Sequence, residues 1–270
     1  MVKIRNSQRV AIHGHRGSRG THPENTMASF EEALLSGADY FEVDLHLTLD
    51  DVPVVYHDPC LTDRLCRDAA GELLKQPIAL RSLPLSALSQ FDCGNVPQVK
   101  FPQQKLVPGS KIPTLEGVFQ WMCESAPQLG INIEIKMEAT QTNLVPDPGL
   151  FASKVVELIR RFGLKNRALV QSFDFRVLRE VKRQAPEIAL SCLFEKVNDF
   201  IFEAKGVGAI AIGPHYELLT CEIIEAAHRV GLEVLPWTIN EAQDWKKLIA
   251  MGVDGIITDY PRALRQVVGK

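Results

Sequence analysis

The sequence predicts an α/β fold, a (β/α)8 TIM barrel with a small insertion after its second strand. Three observations predict it. Eight apolar runs of strand length alternate with eight segments of helical period along the 270 residues, the pattern of parallel strands joined by helical crossovers. Proline opens several helical segments and glycine follows several of them, the expected punctuation of helix starts and ends. No repeat of solenoid period and no low-complexity run interrupts the chain, and one barrel domain commonly takes ~250 residues. An open doubly wound sheet uses the same alternation and is the alternative.

The predicted strands are 10–14, 40–47, 131–135, 168–172, 188–194, 209–212, 233–238 and 255–258, each rich in Val, Ile, Leu or aromatic residues. The first helix, 23–36, starts on Pro23 and stops at Gly37. Helices then follow at 114–125, 148–162, 175–184, 221–230, 241–251 and 261–268, with a weaker one at 198–205. Gly163, Gly206, Gly231 and Gly252 stand where C-caps belong. Residues 58–111 break the rhythm, with many Pro, Gln, Asp and Leu residues and no clean βα unit. The expected organisation is one barrel domain over 1–270 with 58–111 as an insertion subdomain inside it. Leu83, Leu85, Leu88 and Phe91 give that insertion something to pack. On the C-terminal face of a barrel it would serve as a partial lid or pocket wall.

Composition narrows the function. With 46% hydrophobic and 23% charged residues, the chain has enough apolar surface to offset its conformational entropy, which excludes disorder as its main state. No uncharged apolar run approaches the ~18–20 residues that a membrane-spanning helix needs. A formal charge of −3 speaks against a nucleic-acid partner but leaves room for a basic pocket that holds one phosphate. The first nine residues carry basic side chains but no apolar core of a secretion signal. The six cysteines form no Cys-x-x-Cys pair. Both features lead to the expectation of free thiols in a cytoplasmic protein.

The second strand reads Tyr40-Phe41-Glu42-Val43-Asp44-Leu45-His46. Alternation puts Glu42 and Asp44 on one face, with His46 at the same parity, and Phe41, Val43 and Leu45 on the other. Two carboxylates facing a barrel interior repel each other unless a cation sits between them or one stays protonated. The third strand, Ile131-Asn132-Ile133-Glu134-Ile135-Lys136, puts Glu134 and Lys136 on one face by the same rule. Alone, that pair reads as a structural ion pair. With Glu42 and Asp44 it completes a hard oxygen set suited to one divalent cation, Mg²⁺ or Ca²⁺, rather than to zinc. His15 ends the first strand and His57 lies just beyond the second; two imidazoles beside three acids suit acid/base work near neutral pH. Arg16 is placed to grip an anion bidentately, with Gly14 and Gly17 allowing a tight turn around it. His13 reads as structural.

Several motifs together carry a resemblance. His15-Arg16-Gly17, Pro23-Glu24-Asn25-Thr26, Glu42-Val43-Asp44, Val54-Val55-Tyr56-His57-Asp58, Ile112-Pro113-Thr114, Glu134-Ile135-Lys136, Trp237-Thr238-Ile239-Asn240 and Gly255-Ile256-Ile257-Thr258-Asp259, in that order and spacing, resemble the glycerophosphodiester phosphodiesterase family over nearly all of 10–268. The resemblance implies metal-dependent hydrolysis of a small glycerophosphodiester to glycerol 3-phosphate and an alcohol. It makes His15 and His57 the acid/base pair and Glu42, Asp44 and Glu134 the metal ligands. Arg16 and Lys136 would bind the phosphate, Trp237 would line the pocket, and Glu24 would support the substrate site. The chain departs from the family pattern at Asp50-Asp51-Val52, where Lys-Asp-Gly is usual, and in a longer run at 95–111 that would reshape the alcohol pocket. A lysophospholipase D-like or other phosphodiesterase on the same site is the alternative enzyme. A catalytically silent barrel is the alternative of another class.

Overall fold

Residues 9–137 and 144–269 are described by a computed structural model of the chain. In chain order the strands are β1 (Ala11–Gly14), β2 (Tyr40–Leu47), β3 (Pro53–Val55), β4 (Cys60–Leu61), β5 (Ile78–Ala79), β6 (Gly130–Ile135), β7 (Ala168–Ser172), β8 (Ala189–Phe194), β9 (Ala211–Pro214), β10 (Glu233–Val234) and β11 (Gly255–Thr258). Eight of them pair in parallel in the order β10-β9-β8-β7-β6-β2-β1-β11. The two ends of that path meet through backbone bonds. Asp254 N–H donates to the Val234 carbonyl at 3.0 Å, and Ile257 N–H to that of Pro236 at 3.0 Å. The result is a (β/α)8 TIM barrel. Register places Glu42 beside Asn132 and Asp44 beside Glu134, so the sheet itself brings acids of neighbouring strands together.

Side chains of alternating residues fill the interior in layers. Ala11, Leu169, Ala189, Ala211 and Leu235 form an apolar floor. Two residues further along their strands stand His13, Gln171 and Ser191, all buried. The outward face of the strands, with Phe41, Ile131 and Ile133, packs beneath the helices against Phe30, Phe119 and Phe151. Each such fully buried side chain contributes about 1.5–3 kcal/mol.

The helices are α1 (Met27–Leu35), α2 (Leu85–Leu88), α3 (Leu115–Ser125), α4 (Pro148–Arg161), α5 (Phe175–Gln184), α6 (Phe200–Val207), α7 (Cys221–Arg229), α8 (Ala242–Met251) and α9 (Pro261–Val268). α4 shows why they begin and end where they do. The Asp147 carboxylate accepts from Leu150 N–H at its start, Pro148 needs no donor there, and Arg160 and Arg161 face the negative end of the dipole. α1 starts later than its proline suggests. Pro23–Thr26 is a turn, and Thr26 caps the helix. The C-cap of α6 is Gly208, in the left-handed conformation, rather than Gly206, which lies within the helix. The expected strand 233–238 is regular only at Glu233 and Val234. Among the described residues, no helix is long and apolar enough to cross a membrane.

Within 58–111, Leu61, Leu74, Leu80, Leu88 and Phe91 form a hydrophobic cluster of their own with Val54 and Tyr56. One expectation fails here. Cys66 and Cys93 are joined in a disulfide rather than free. Arg67 and Asp92 form an antiparallel bridge, exchanging N–H···O bonds of 2.8 and 3.0 Å. That bridge sets their neighbours 66 and 93 opposite each other. No local spacing signals a pairing made 27 residues apart, and it removes the cysteine-based argument for a reducing compartment. Cys60, Cys123, Cys192 and Cys221 are free thiols.

Candidate active site

The turn after β1 is built to point backbone and side chain at the acids. Arg16 has a left-handed φ of 50° and Gly17 a φ of 89°. A Cβ on Gly14 would lie 2.1 Å from the Gly17 carbonyl oxygen, so only glycine fits that bend. Holding Arg16, a non-glycine residue, at its left-handed φ typically costs about 1–3 kcal/mol, offset here by what the turn delivers. Arg16 N–H donates to Glu42 Oε2 at 2.9 Å. Its guanidinium donates to Glu24 Oε1 at 2.7 Å and lies 3.2 Å from Asp44 Oδ2. Glu24 also receives Arg19, 2.8 Å away. Burial pushes the Glu24 carboxyl up, but the two guanidiniums hold it below its ordinary range.

Glu42, Asp44 and Glu134 each offer a carboxylate oxygen, and these oxygens lie within 4.8 Å of one another. All three residues are buried. Burial, then the charges of Asp44 and Glu134, push Glu42 well above the ordinary carboxyl range. Glu134 is raised for the same reasons, opposed by Lys136 Nζ at 2.9 Å. Asp44 goes the other way. Burial would raise it, but Arg16, His57 and Lys136 outweigh burial, and the Asn25 side-chain amide donates to its Oδ2 at 2.8 Å. Asn25 too is held at a left-handed φ, 55°. Glu42 Oε1 is buried without a hydrogen-bond partner. An orphaned oxygen beside two further carboxylates fits a hard divalent cation, which would satisfy that oxygen and relieve the mutual repulsion.

Each imidazole is held from behind. His15 Nδ1 donates to Asp259 Oδ1 at 2.7 Å, and Asn240 donates to the other Asp259 oxygen at 2.7 Å. Burial lowers the His15 pKa, and Asp259 partly restores it. In return His15 holds Asp259 at about 2 despite burial. His57 Nδ1 donates to Asp58 Oδ1 at 2.7 Å, and Arg64 donates to the other Asp58 oxygen at 2.6 Å. The remaining ring nitrogen of His57, Nε2, lies 3.3 Å from Lys136 Nζ. His46 does not join the acids. Its Nε2 donates to the His57 carbonyl at 2.9 Å, and burial lowers its pKa to about 4. His13 stacks on Tyr40 with centroids 4.5 Å apart, and burial lowers its pKa to about 3.

These groups open into a cavity of about 470 Å³ at the C-terminal ends of the strands. Of the residues singled out in the sequence, His15, Arg16, Glu42, His57, Glu134, Lys136 and Trp237 line it. Asp44 and Glu24 sit behind the lining, paired to Arg16. Arg19, Gln171, Phe173, Leu193 and Glu195 also line the cavity; Gln171 and Phe173 belong to the motif Gln171-Ser172-Phe173 that shares in the family resemblance, while Arg19, Leu193 and Glu195 carried no signal in the sequence. Asn25, Asp58 and Asp259 were signalled only as members of motifs. The lining contains no residue of 58–111, so the insertion is not the pocket wall that was expected. It braces the loop after β1 instead. The Gln104 amide donates to the carbonyls of Arg19 and His22 at 2.7 and 2.9 Å, and the Arg19 guanidinium lies 5.0 Å from the centre of the Phe101 ring.

Comparison with known proteins places the chain among relatives. Residues 15–263 match the model of the glycerophosphoryl diester phosphodiesterase family. The chain is 31% identical to a glycerophosphodiester phosphodiesterase of Caldanaerobacter subterraneus subsp. tengcongensis, over 97% of this chain and 99% of that one. A crystal structure from Silicibacter pomeroyi superimposes with a TM-score of 0.91 at 28% identity, covering 98% of this chain and 95% of that one. An Oleispira antarctica phosphodiesterase, solved in complex with the product sn-glycerol-3-phosphate, does so with a TM-score of 0.80 at 25% identity, covering 97% and 98%.

Proposed function

The chain belongs to the glycerophosphoryl diester phosphodiesterase family, and from that premise we propose that its barrel-mouth site hydrolyses glycerophosphodiesters to glycerol 3-phosphate and an alcohol, with Mg²⁺ or Ca²⁺ held by Glu42, Asp44 and Glu134. The observation that carries the reading is the convergence of three buried carboxylates within 4.8 Å at the base of a cavity lined by Glu42, Glu134, His15 and His57, with Asp44 behind them. A bound divalent ion supplies Lewis-acid stabilisation of the charge that gathers on the phosphoryl oxygens.

The chain's own residues do the rest. Arg16 and Lys136 reach the cavity as fixed cations, and their carboxylate partners keep them oriented before substrate arrives. Glu24 acts through Arg16, holding its guanidinium in place. One imidazole takes the proton of the attacking hydroxyl as its oxygen bonds to phosphorus. The other gives a proton to the departing alkoxide as the ester P–O bond breaks. Each transfer is worth about 10²–10⁴-fold. Asp259 and Asp58 fix the Nδ1–H tautomers, which turns each Nε2 toward the reaction. Trp237 forms part of the wall against which the organic part of the ester lies. In this reading the chain is one catalytic barrel, with 58–111 as a subdomain that braces it.

Purified protein assayed on glycerophosphodiesters and lysophospholipids, with and without chelator, tests the proposal. Glycerophosphodiester turnover is expected to vanish in EDTA and return with Mg²⁺ or Ca²⁺. Full turnover in excess EDTA overturns the metal role. Preference for lysolipids moves the substrate to the alternative enzyme reading, and no turnover of any ester with metal present leaves a binding protein.

A further inference from the structure

The cavity has a second wall, and its chemistry differs from that of the first. β7, β8, β9 and β10 are consecutive in the barrel. The first residue beyond β7 is Phe173 and the first beyond β8 is Glu195; both line the cavity, as does Trp237 in the segment after β10. Along β8 the residues Ala189, Ser191, Leu193 and Glu195 share a parity. Ala189 belongs to the interior floor and Leu193 lines the cavity, so alternation aims Glu195 inward at the rim. Its place on the backbone is fixed. The preceding carbonyl, of Phe194, accepts from His215 N–H at 2.8 Å, and the Phe194 ring packs on Phe175 and Phe200 at 5.4 and 4.7 Å.

On this half of the lining, among the described residues, Glu195 is the one charged side chain, and it makes no ion pair among them. Beside it, Phe173 meets Trp237 edge to face with centroids 5.4 Å apart, and 38% of Phe173 is exposed. The opposite half presents the cations Arg16, Arg19 and Lys136 beside the candidate metal ligands Glu42 and Glu134 and both imidazoles. A ligand spanning the cavity therefore meets cations at one end and, at the other, aromatic rings with an unpaired carboxylate. Aromatic rings and a carboxylate together attract an organic ammonium group.

We propose that Glu195 is a specificity-determining residue which, with Phe173 and Trp237, selects diesters whose alcohol carries a positive charge, such as choline or ethanolamine, over those of neutral alcohols. The inference rests on the phosphodiesterase reading and deepens it by naming the class of the alcohol. Glu195 is exposed, so the preference it confers is modest and weakens with salt.

The test measures kcat/KM for glycerophosphocholine, glycerophosphoethanolamine and glycerophosphoglycerol, with divalent ion present, for the wild type, Glu195→Gln and Glu195→Lys. Both variants alter an exposed side chain, and circular dichroism checks their fold. The ratio of the cationic to the neutral diester is expected to fall about threefold to tenfold in Glu195→Gln and further in Glu195→Lys. Choline is expected to inhibit the wild type more strongly than its neutral isostere 3,3-dimethylbutan-1-ol, with the difference lost in Glu195→Gln. If the wild type turns over all three diesters and the ratios stay put in both variants, this inference falls and the phosphodiesterase reading stands. If the wild type cleaves none of them, that reading falls and takes this one with it.

Discussion

The two halves of the barrel mouth are held together by different forces. Around β1, β2, β6 and β11 the side chains are ionic and locked by short directional bonds. Arg16 spans Glu24 and Asp44, Lys136 meets Glu134, and Asp259 is shared by His15 and Asn240. Around β7 to β10 the contacts are rings and aliphatic groups. Phe173 and His215 lie 5.4 and 5.3 Å from Trp237, whose indole N–H donates to the Gly213 carbonyl at 2.7 Å. A directional network fixes atoms to fractions of an ångström, but removing one member strands a buried charge, a loss of about 3–5 kcal/mol. A packed apolar wall fixes shape, and its losses scale with area. In the proposed reading, chemistry is assigned to the first half and selection among substrates to the second.

The sharpest way to break that division is to remove the imidazoles. His15→Ala and His57→Ala are each expected to lower kcat by about 10²–10⁴-fold while the protein stays folded. Steady-state kinetics beside circular dichroism check this, and near wild-type turnover in either variant ends the acid/base assignment. A smaller cut sharpens it. Asp259→Asn keeps the shape but removes the charge that raises the His15 pKa against burial. With it gone, the His15 pKa falls further, so whichever limb of the pH–rate profile His15 governs moves to lower pH. Turnover should drop about 10²-fold as the Nδ1–H tautomer loses its partner. A limb that stays in place or moves to higher pH means that Asp259 acts by position alone.

Much of the ionic half was legible in the sequence because strand alternation is a local rule. Once 40–47 and 131–135 are read as strands, Glu42, Asp44, Glu134 and Lys136 must share a face, and the observed register then sets Asp44 beside Glu134. Residues that stood in motifs without an assigned role answer to rules of longer range. Asn25 reaches Asp44 across 19 positions and Asp259 reaches His15 across 244, and no periodicity encodes either. The disulfide escaped for the same reason, since the Arg67–Asp92 bridge that aligns its cysteines is a tertiary event. The insertion's role was misjudged on geometry. The bonds from Gln104 to the Arg19 and His22 carbonyls tie the insertion to the loop after β1, and none of its residues is in the cavity lining. The aromatic half was legible only through the resemblance, which singled out Trp237 and carried Phe173 within a motif; Leu193 and Glu195 are ordinary residues at a strand end and gave no signal. Only barrel closure turns strand ends that are distant in sequence into one wall.

The gentlest probe asks most of the comparison. Phe173 stands partly exposed at the rim and makes no hydrogen bond that matters to the chemistry; its ring meets Trp237 edge to face. Phe173→Ala removes one aromatic contact, worth about 0.5–1.5 kcal/mol beyond its area, and leaves the carboxylates and both imidazoles with all their partners. Turnover at saturating substrate should change by less than about threefold, while KM for the organic part of the ester rises about threefold to tenfold, because ground state and transition state lose the same contact. The concentration of Mg²⁺ or Ca²⁺ giving half-maximal activity should not move, since no ligand atom of Glu42, Asp44 or Glu134 is disturbed. A hundredfold loss of kcat, or a shifted metal requirement, would mean that the ring wall positions the ionic network after all, and the two halves of the mouth would have to be treated as one machine.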